Sequence, residues 1–530
     1  MTARGGLAWP VLLIALLQAG CASLPTDVER PPSTALTDTA ETRLGQASRH
    51  VLAGRSDVSA VLLFGEGTDA FLARLGLAEL AEKSLDVQYY IWHGDTTGRV
   101  LADGLLNAAD RGVRVRLLLD DIGTAADDAK LLALDSHPSI EVRLFNPVAN
   151  RSFRMLGMVA DFGRTNRRMH NKSFTADNQA TIVGGRNIGD EYFEARPDAG
   201  FSDLDLLAFG PAVRAVSSQF DRYWNSPSVY PITALSNARP SEEAMRQQRA
   251  ALREFVASQR GQDYAGALKA SGLAKGVTEG SLDFSYGEVR VLADDPAKVE
   301  QANPDQEVLL LPRLRPEFES LDSELVMVSP YFVPGDKGVA YLAALVKRGV
   351  RVRILTNSLA ATDVPAVHAG YQKYRRALLE AGAELYEMKP TAVRVNDGAG
   401  SASAGRKSGQ GLSGSSHASL HAKALVFDRH TLFVGSMNLD PRSVLTNTEI
   451  GVLLEHPDLM ATRVEKLDAQ LPGNWYRLEL VSSAADANPE IHWLEKTDGE
   501  TIRHALEPGT TSWQRFKIRV LSLLPIEHLL

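Results

Sequence analysis

Cysteine is nearly absent. Cys21 is the only one in 530 residues, so no intrachain disulfide can form. Positive charge is not in excess either: 57 Lys and Arg stand against 65 Asp and Glu, a formal net charge of −8. That balance gives no electrostatic footprint for a polyanion, and no nucleic acid is expected as a partner. The apolar run Leu7 to Leu17 is too short to span a bilayer comfortably. A Cys, His and carboxylate cluster at metal-ligand spacing is missing from the motifs below, so neither a metal nor another cofactor is expected.

What the chain does have is the same phrase twice. His170-Asn171-Lys172 is followed, after four residues, by Asp177 and, after six more, by Gly184-Gly185-Arg186-Asn187. His421-Ala422-Lys423 is followed at the same intervals by Asp428 and by Gly435-Ser436-Met437-Asn438. One copy would read as a histidine beside a lysine; two copies suggest one active site assembled from two halves. A phosphodiester must be neutralised before anything attacks it. Lys172 and Lys423 bring positive charge, and Asn187, Asn438 and Ser436 can add neutral donors aimed at phosphoryl oxygens. One histidine can attack phosphorus while the other protonates the departing alkoxide, the phosphate being held meanwhile as a phosphohistidine.

His-x-Lys places both side chains on one face of a strand. Asp177 and Asp428 fall in the turn that follows, and they read as supports for loop geometry more than as proton carriers. Upstream the repeat continues. Leu85 to Trp92 compares with Leu325 to Phe332, and Arg111-Gly112-Val113-Arg114-Val115-Arg116 with Arg348-Gly349-Val350-Arg351-Val352-Arg353. Strand, helix, Gly turn and strand make a βαβ unit. Downstream, Asp203 and Glu449 occupy matching positions, and each suits holding the ring N–H of its histidine.

These features resemble the phospholipase D superfamily, marked by a duplicated HKD motif, from about Val58 to Leu530. Ser329 to Gly335, Thr356 to Val364 and Ser436 to Ser443 are similar more narrowly to bacterial cardiolipin synthases, the C type above all. The resemblance implies an α/β fold of two similar lobes, each a mixed, parallel-rich sheet flanked by helices, packed about a pseudo-twofold axis. It implies a metal-independent phosphatidyltransferase acting through a phosphatidyl-histidine. His170 would be the nucleophile and His421 the acid and base, an order the near-symmetry of the copies leaves open. The substrates implied are phospholipids: phosphatidylglycerol, with phosphatidylethanolamine a further candidate. A phospholipase D, a nuclease of the same superfamily, or a lipid-binding lipoprotein without catalysis are the alternatives. In the first copy Gly185 stands where the second has Ser436, leaving one hydroxyl contact fewer.

The expected organisation is a signal peptide to residue 21, a tether over 22–57, a first lobe over 58–237 and a helical bridge over 238–306. A second lobe then covers 307–510, with a flexible insertion at 396–416, and an amphipathic segment covers 511–530. Leu17 to Cys21 resembles a lipoprotein cleavage box, although Gln18 departs from it; Cys21 would then carry an acyl anchor in the bacterial envelope, facing the periplasm. At the other end Trp513, Phe516, Val520, Leu523 and Leu524 share one helical face, which suits either a membrane surface or the protein's own core. Arg164, Arg167 and Arg168 could hold a headgroup or form a solvated loop. His368, Tyr371 and Tyr374 could bind an acceptor or pack on a sheet.

Overall fold

The computed structural model describes residues 23–124, 128–196, 199–236, 238, 241–391, 417–483, 486–497, 499–524 and 527. Cys21 and the insertion at 396–416 lie outside them.

In the first lobe the strands are β1 (Ser59–Phe64), β2 (Ser84–Tyr89), β3 (Arg114–Asp120), β4 (Ile140–Phe145), β5 (Ser173–Ala176), β6 (Ala180–Gly184), β7 (Ala199–Ser202), β8 (Asp205–Phe209) and β9 (Val229–Pro231). The second lobe contributes β10 (Ser285–Ala293), β11 (Glu324–Val328), β12 (Arg351–Asn357), β13 (Glu384–Met388), β14 (His417–Leu420), β15 (Ala424–Phe427), β16 (Thr431–Gly435) and β17 (Ile450–Glu455). Three more strands, β18 (Trp475–Ser483), β19 (Asp486–Thr497) and β20 (Glu500–His504), extend its outer edge.

Pairing in the first lobe runs β9-β4-β3-β2-β5-β6-β8-β1, and in the second β18-β13-β12-β11-β15-β16-β17-β10. The two orders match strand for strand. Within these two sheets parallel pairing is confined to β2-β3-β4 and β11-β12-β13, so each is mixed. The βαβ units supply those parallel strands, whose residues are buried on both faces.

The sheets join where β1 pairs antiparallel with β10, Ser59 opposite Gly287 and Val61 opposite Ser285. A shared core lies between them: Val61, Val183, Leu206 and Ala208 from one lobe meet Val426, Leu432, Val452 and Leu454 from the other. Separate apolar cores fill the outer sides, under the helices of each lobe.

Two boundaries differ from the expectation. Within 238–306, the helices Glu242–Ala257, Gln259–Lys269 and Gly272–Glu279 pack on first-lobe helices, and β10 is the second-lobe counterpart of β1. The supposed tether is docked from about Arg30: Arg30 donates to the Val229 carbonyl, Arg116 to that of Ser33, and Arg43–Leu52 is a helix capped by Thr42.

Candidate active site

Each motif histidine is held by the opposite lobe. His170 donates its backbone N–H to the Thr448 carbonyl at 2.8 Å, and its Nδ1 lies 2.8 Å from Glu449 Oε2. His421 donates its N–H to the Ser202 carbonyl at 2.8 Å, and its Nδ1 lies 2.5 Å from Asp203 Oδ2. The sequence pairs each acid with the histidine of its own half; the fold exchanges them. The twofold relation is the cause: β7 runs parallel to β14, with Ser202 opposite Leu420, and Met169 bridges Thr448 in the same way. With both Nδ1 atoms held by acids, Nε2 is the ring nitrogen left for chemistry.

The strand ends brace this arrangement. Asp120, last in β3, accepts from Met169 N at 2.9 Å. Asn357, last in β12, accepts from Leu420 N at 2.8 Å and donates to the Leu420 carbonyl. Both residues stand six positions beyond the equivalent Arg114 and Arg351, so the repeat itself could have found them.

Lys172 donates to the His170 carbonyl at 2.6 Å, and Lys423 donates to that of His421. Lys423 Nζ also lies 2.9 Å from His421 Nδ1. Asn187 donates to the Tyr192 hydroxyl at 2.9 Å and accepts from Ile91 N. Buried Asn438 keeps its Oδ1 without a hydrogen-bond partner among the described residues.

Ser436 is not a donor to the phosphoryl group as expected. Its hydroxyl donates to Glu449 Oε2 and accepts from Ile450 N at 3.0 Å. The Gly185 difference then has a steric reason. A Cβ there would sit 2.1 Å from Asp203 Oδ1, so the shorter acid occupies the space that a serine would need. Asp177 and Asp428 belong to turns rather than to the reacting centre. Asp177 accepts from the backbone N–H of Glu82, Lys83 and Ser84; Asp428 accepts from those of Asp322, Ser323 and Glu324.

Burial dominates the electrostatics. Burial, then the charges of Lys172 and Lys423 and the neighbouring His421, pushes the His170 pKa well below the imidazole range. Burial and Lys423 lower His421 as well, against the pull of Asp203. Burial depresses Lys172 strongly and brings Lys423 to about 8. It also raises Glu449 to about 7, Lys172 opposing. For Asp203 burial acts upward, but His421, by charge and hydrogen bond, and Lys423 bring the carboxyl below its ordinary value. The two halves are therefore electrically unequal.

Several contributors escaped the sequence reading. Tyr90 meets His170 edge-on at 5.0 Å; Tyr192 and Phe201 each meet His421 at 5.0 Å. All three come from the first lobe. Asp294, raised by burial to about 7, accepts from Glu449 N at 2.8 Å and from Lys298 Nζ at 2.9 Å. Neither motif nor spacing marks any of these. Outside the motifs, His93, Asp95 and Glu191 are grouped closely enough to hold a cation.

Other candidates are committed elsewhere. Arg168 is buried on Asp120, Arg164 bonds Asp161 and Asn146, and Arg167 bonds the carbonyls of Val299 and Gln301, so the three do not form a free headgroup cluster. His368 is buried with Arg375 and Glu507, and Tyr371 lies in the second-lobe core. That stripe packs.

A family model described as "Cardiolipin synthase, PLD-like domain" matches residues 75–224 and 314–471. The chain is 44% identical over 465 residues to "Cardiolipin synthase C" of Escherichia coli (strain K12), covering 87% of this chain and 94% of that protein. It is 34% identical over 493 residues to an uncharacterized protein of Helicobacter pylori (strain ATCC 700392 / 26695), covering 91% and 93%. Among solved structures, phosphatidylserine synthase of Haemophilus influenzae Rd KW20 superposes with a TM-score of 0.53 at 14% identity, over 91% of this chain and all of that one. That likeness concerns the fold.

Proposed function

The chain belongs to the cardiolipin synthase family of phospholipase D-like proteins, and from that premise we propose how its residues divide the work of phosphatidyl transfer. The protein is a membrane-associated bacterial phosphatidyltransferase of a metal-independent class. The observation that carries the residue assignment is the exchange of acids between lobes, which fixes both Nδ1 atoms and leaves two Nε2 atoms for one phosphorus.

In the first step His170 Nε2 attacks the phosphorus of a phosphatidylglycerol. A P–N bond forms, the P–O bond to the headgroup glycerol breaks, and protonated His421 gives its Nε2 proton to the departing alkoxide. Glycerol leaves. In the second step the terminal hydroxyl of another phosphatidylglycerol gives its proton to His421 and attacks phosphorus; the P–N bond breaks and cardiolipin is released. Lys172, Lys423, Asn187 and Asn438 hold the phosphoryl oxygens, where charge builds in the transition state. The inequality of the acids supports this order. Asp203, kept ionised beside His421, favours the imidazolium a general acid needs. Burial and the charge of Lys172 keep His170 neutral, as a nucleophile must be.

Phosphatidylethanolamine fits the same scheme as a donor, its ethanolamine leaving in place of glycerol. The chain is anchored through Cys21 and faces the periplasm; among the described residues no helix is long and apolar enough to cross a membrane. The test is incubation with phosphatidylglycerol, with and without phosphatidylethanolamine. Cardiolipin is the expected product; phosphatidic acid alone would replace this reading with a phospholipase.

A further inference from the structure

We propose that the mouth of the active site is flanked by two apolar helices, one per lobe, that dock on an anionic phospholipid bilayer, an inference that rests on the lipid chemistry proposed above. In the first lobe the helix Arg154–Ala160 and its flanks expose Phe153 (64%), Met155 (77%), Val159 (75%) and Phe162 (48%). In the second, the helix Ser512–Ser522 seats Ile518 on Leu359 and Ala369. Its other face exposes Trp513 (61%), Phe516 (55%), Val520 (45%) and, just beyond, Leu523 (80%). Apolar groups this large, gathered rather than scattered, mark a surface that meets another apolar phase.

Their placement relates them to the chemistry. Arg154 is paired with Asp128 and Asp121. Asp121 follows Asp120, which grips the residue before His170. Leu359, under Ile518, comes two residues after Asn357, which grips the residue before His421. Each helix is thus tied to the strand end that positions its own lobe's histidine. Because His170 is 8% exposed and His421 5%, a lipid headgroup has to be delivered to them. A mouth laid on the bilayer shortens that path.

Two further observations name the occupant. Between Ser512 and Leu524 the chain carries Arg515, Lys517 and Arg519 and no acid, within a protein of net charge −8. Local cations beside exposed aromatics suit anionic headgroups over an acyl layer. Ser23 to Thr26 line a cleft of about 720 Å³ with Asn150, Arg151 and Ser152, immediately before Phe153. Ser23, where the described chain begins, therefore lies beside the first of these helices.

The test uses the full chain as Cys21→Ser, to remove acylation, with vesicles of phosphatidylcholine alone or mixed with phosphatidylglycerol. Co-sedimentation with the anionic vesicles and a blue shift of Trp513 emission, absent in Trp513→Phe, are expected. Met155→Glu/Val159→Glu and Phe516→Glu/Val520→Glu should each cut vesicle binding at least tenfold, while turnover of phosphatidylglycerol in detergent micelles stays within twofold. Unchanged vesicle binding in both charged variants overturns the proposal. So does a dimer in sedimentation velocity that these substitutions dissociate, which would give the face to a second copy. Binding that the charged variants abolish, in a protein showing no micellar turnover, supports docking and overturns only the phosphatidyltransferase reading.

Discussion

At the scale of single residues, the site is a set of exchanged partners, and removing one should expose what it holds. His170→Ala and His421→Ala should each lower cardiolipin formation by at least 10³-fold, on the order expected when an attacking or proton-carrying group is lost. Product analysis by thin-layer chromatography checks this. Gly185→Ala forces a Cβ into the Asp203 carboxylate. Because Asp203 orients His421 from outside the reacting atoms, the expected loss is about 10–100-fold in turnover, with substrate affinity unchanged. Glu449 supplies a pH prediction. Its carboxyl is raised from 4.5 to about 7, so the folded state holds that proton more tightly than the unfolded chain. The stabilising contribution is full below 4.5 and fades as pH rises through 7. Glu449→Gln should therefore gain thermal stability relative to the native protein between pH 5 and 8, in melting curves measured at both; a gap that stays constant would sink the assignment.

Among the elements, the two motif hairpins show what could be read and what could not. Asp177-Asn178 and Asp428-Arg429 all have positive φ, from 50° to 56°, as the two central residues of the turns closed by Gln179 N–H on the Ala176 carbonyl and His430 N–H on that of Phe427. The spacing predicts that turn, because strand alternation and turn chemistry are local. It does not reveal that Asp177 also gathers three backbone N–H groups from the start of β2, 93 to 95 residues away. Asp177→Ala leaves those donors without their acceptor. At about 1 kcal/mol for each net bond, the loss is about 2–4 kcal/mol in chemical denaturation, with the residual folded enzyme keeping its KM. The repeat predicts βαβ units and matching acids for the same local reason. It could not predict which histidine each acid meets, since that depends on the packing of one sheet on the other. Tyr90, Tyr192, Phe201 and Asp294 were invisible because they enter the site only through tertiary contact. The C-terminal helix is half legible: its apolar stripe shows in the spacing, but Ile518 and Leu359, outside that stripe, make the contact with the core.

For the whole molecule, the duplication is a requirement rather than an ornament. Neither lobe alone contains a histidine with its acid: His170 needs Glu449, and His421 needs Asp203. The lobes meet through β1 and β10 within one chain, and a shared apolar core fixes their facing sheets. A mixture of the His170→Ala and His421→Ala proteins should accordingly remain inactive. Each chain retains one competent histidine, but both stations of any site come from the same polypeptide. Recovery of about one quarter of native activity after joint refolding, the share expected for random exchange of lobes between chains, would show instead that the site can form between molecules. The distinction bears on mechanism. A site closed within one chain keeps the phosphatidyl group on His170 while His421 trades glycerol for the next lipid, and nothing in that cycle requires a second protein copy.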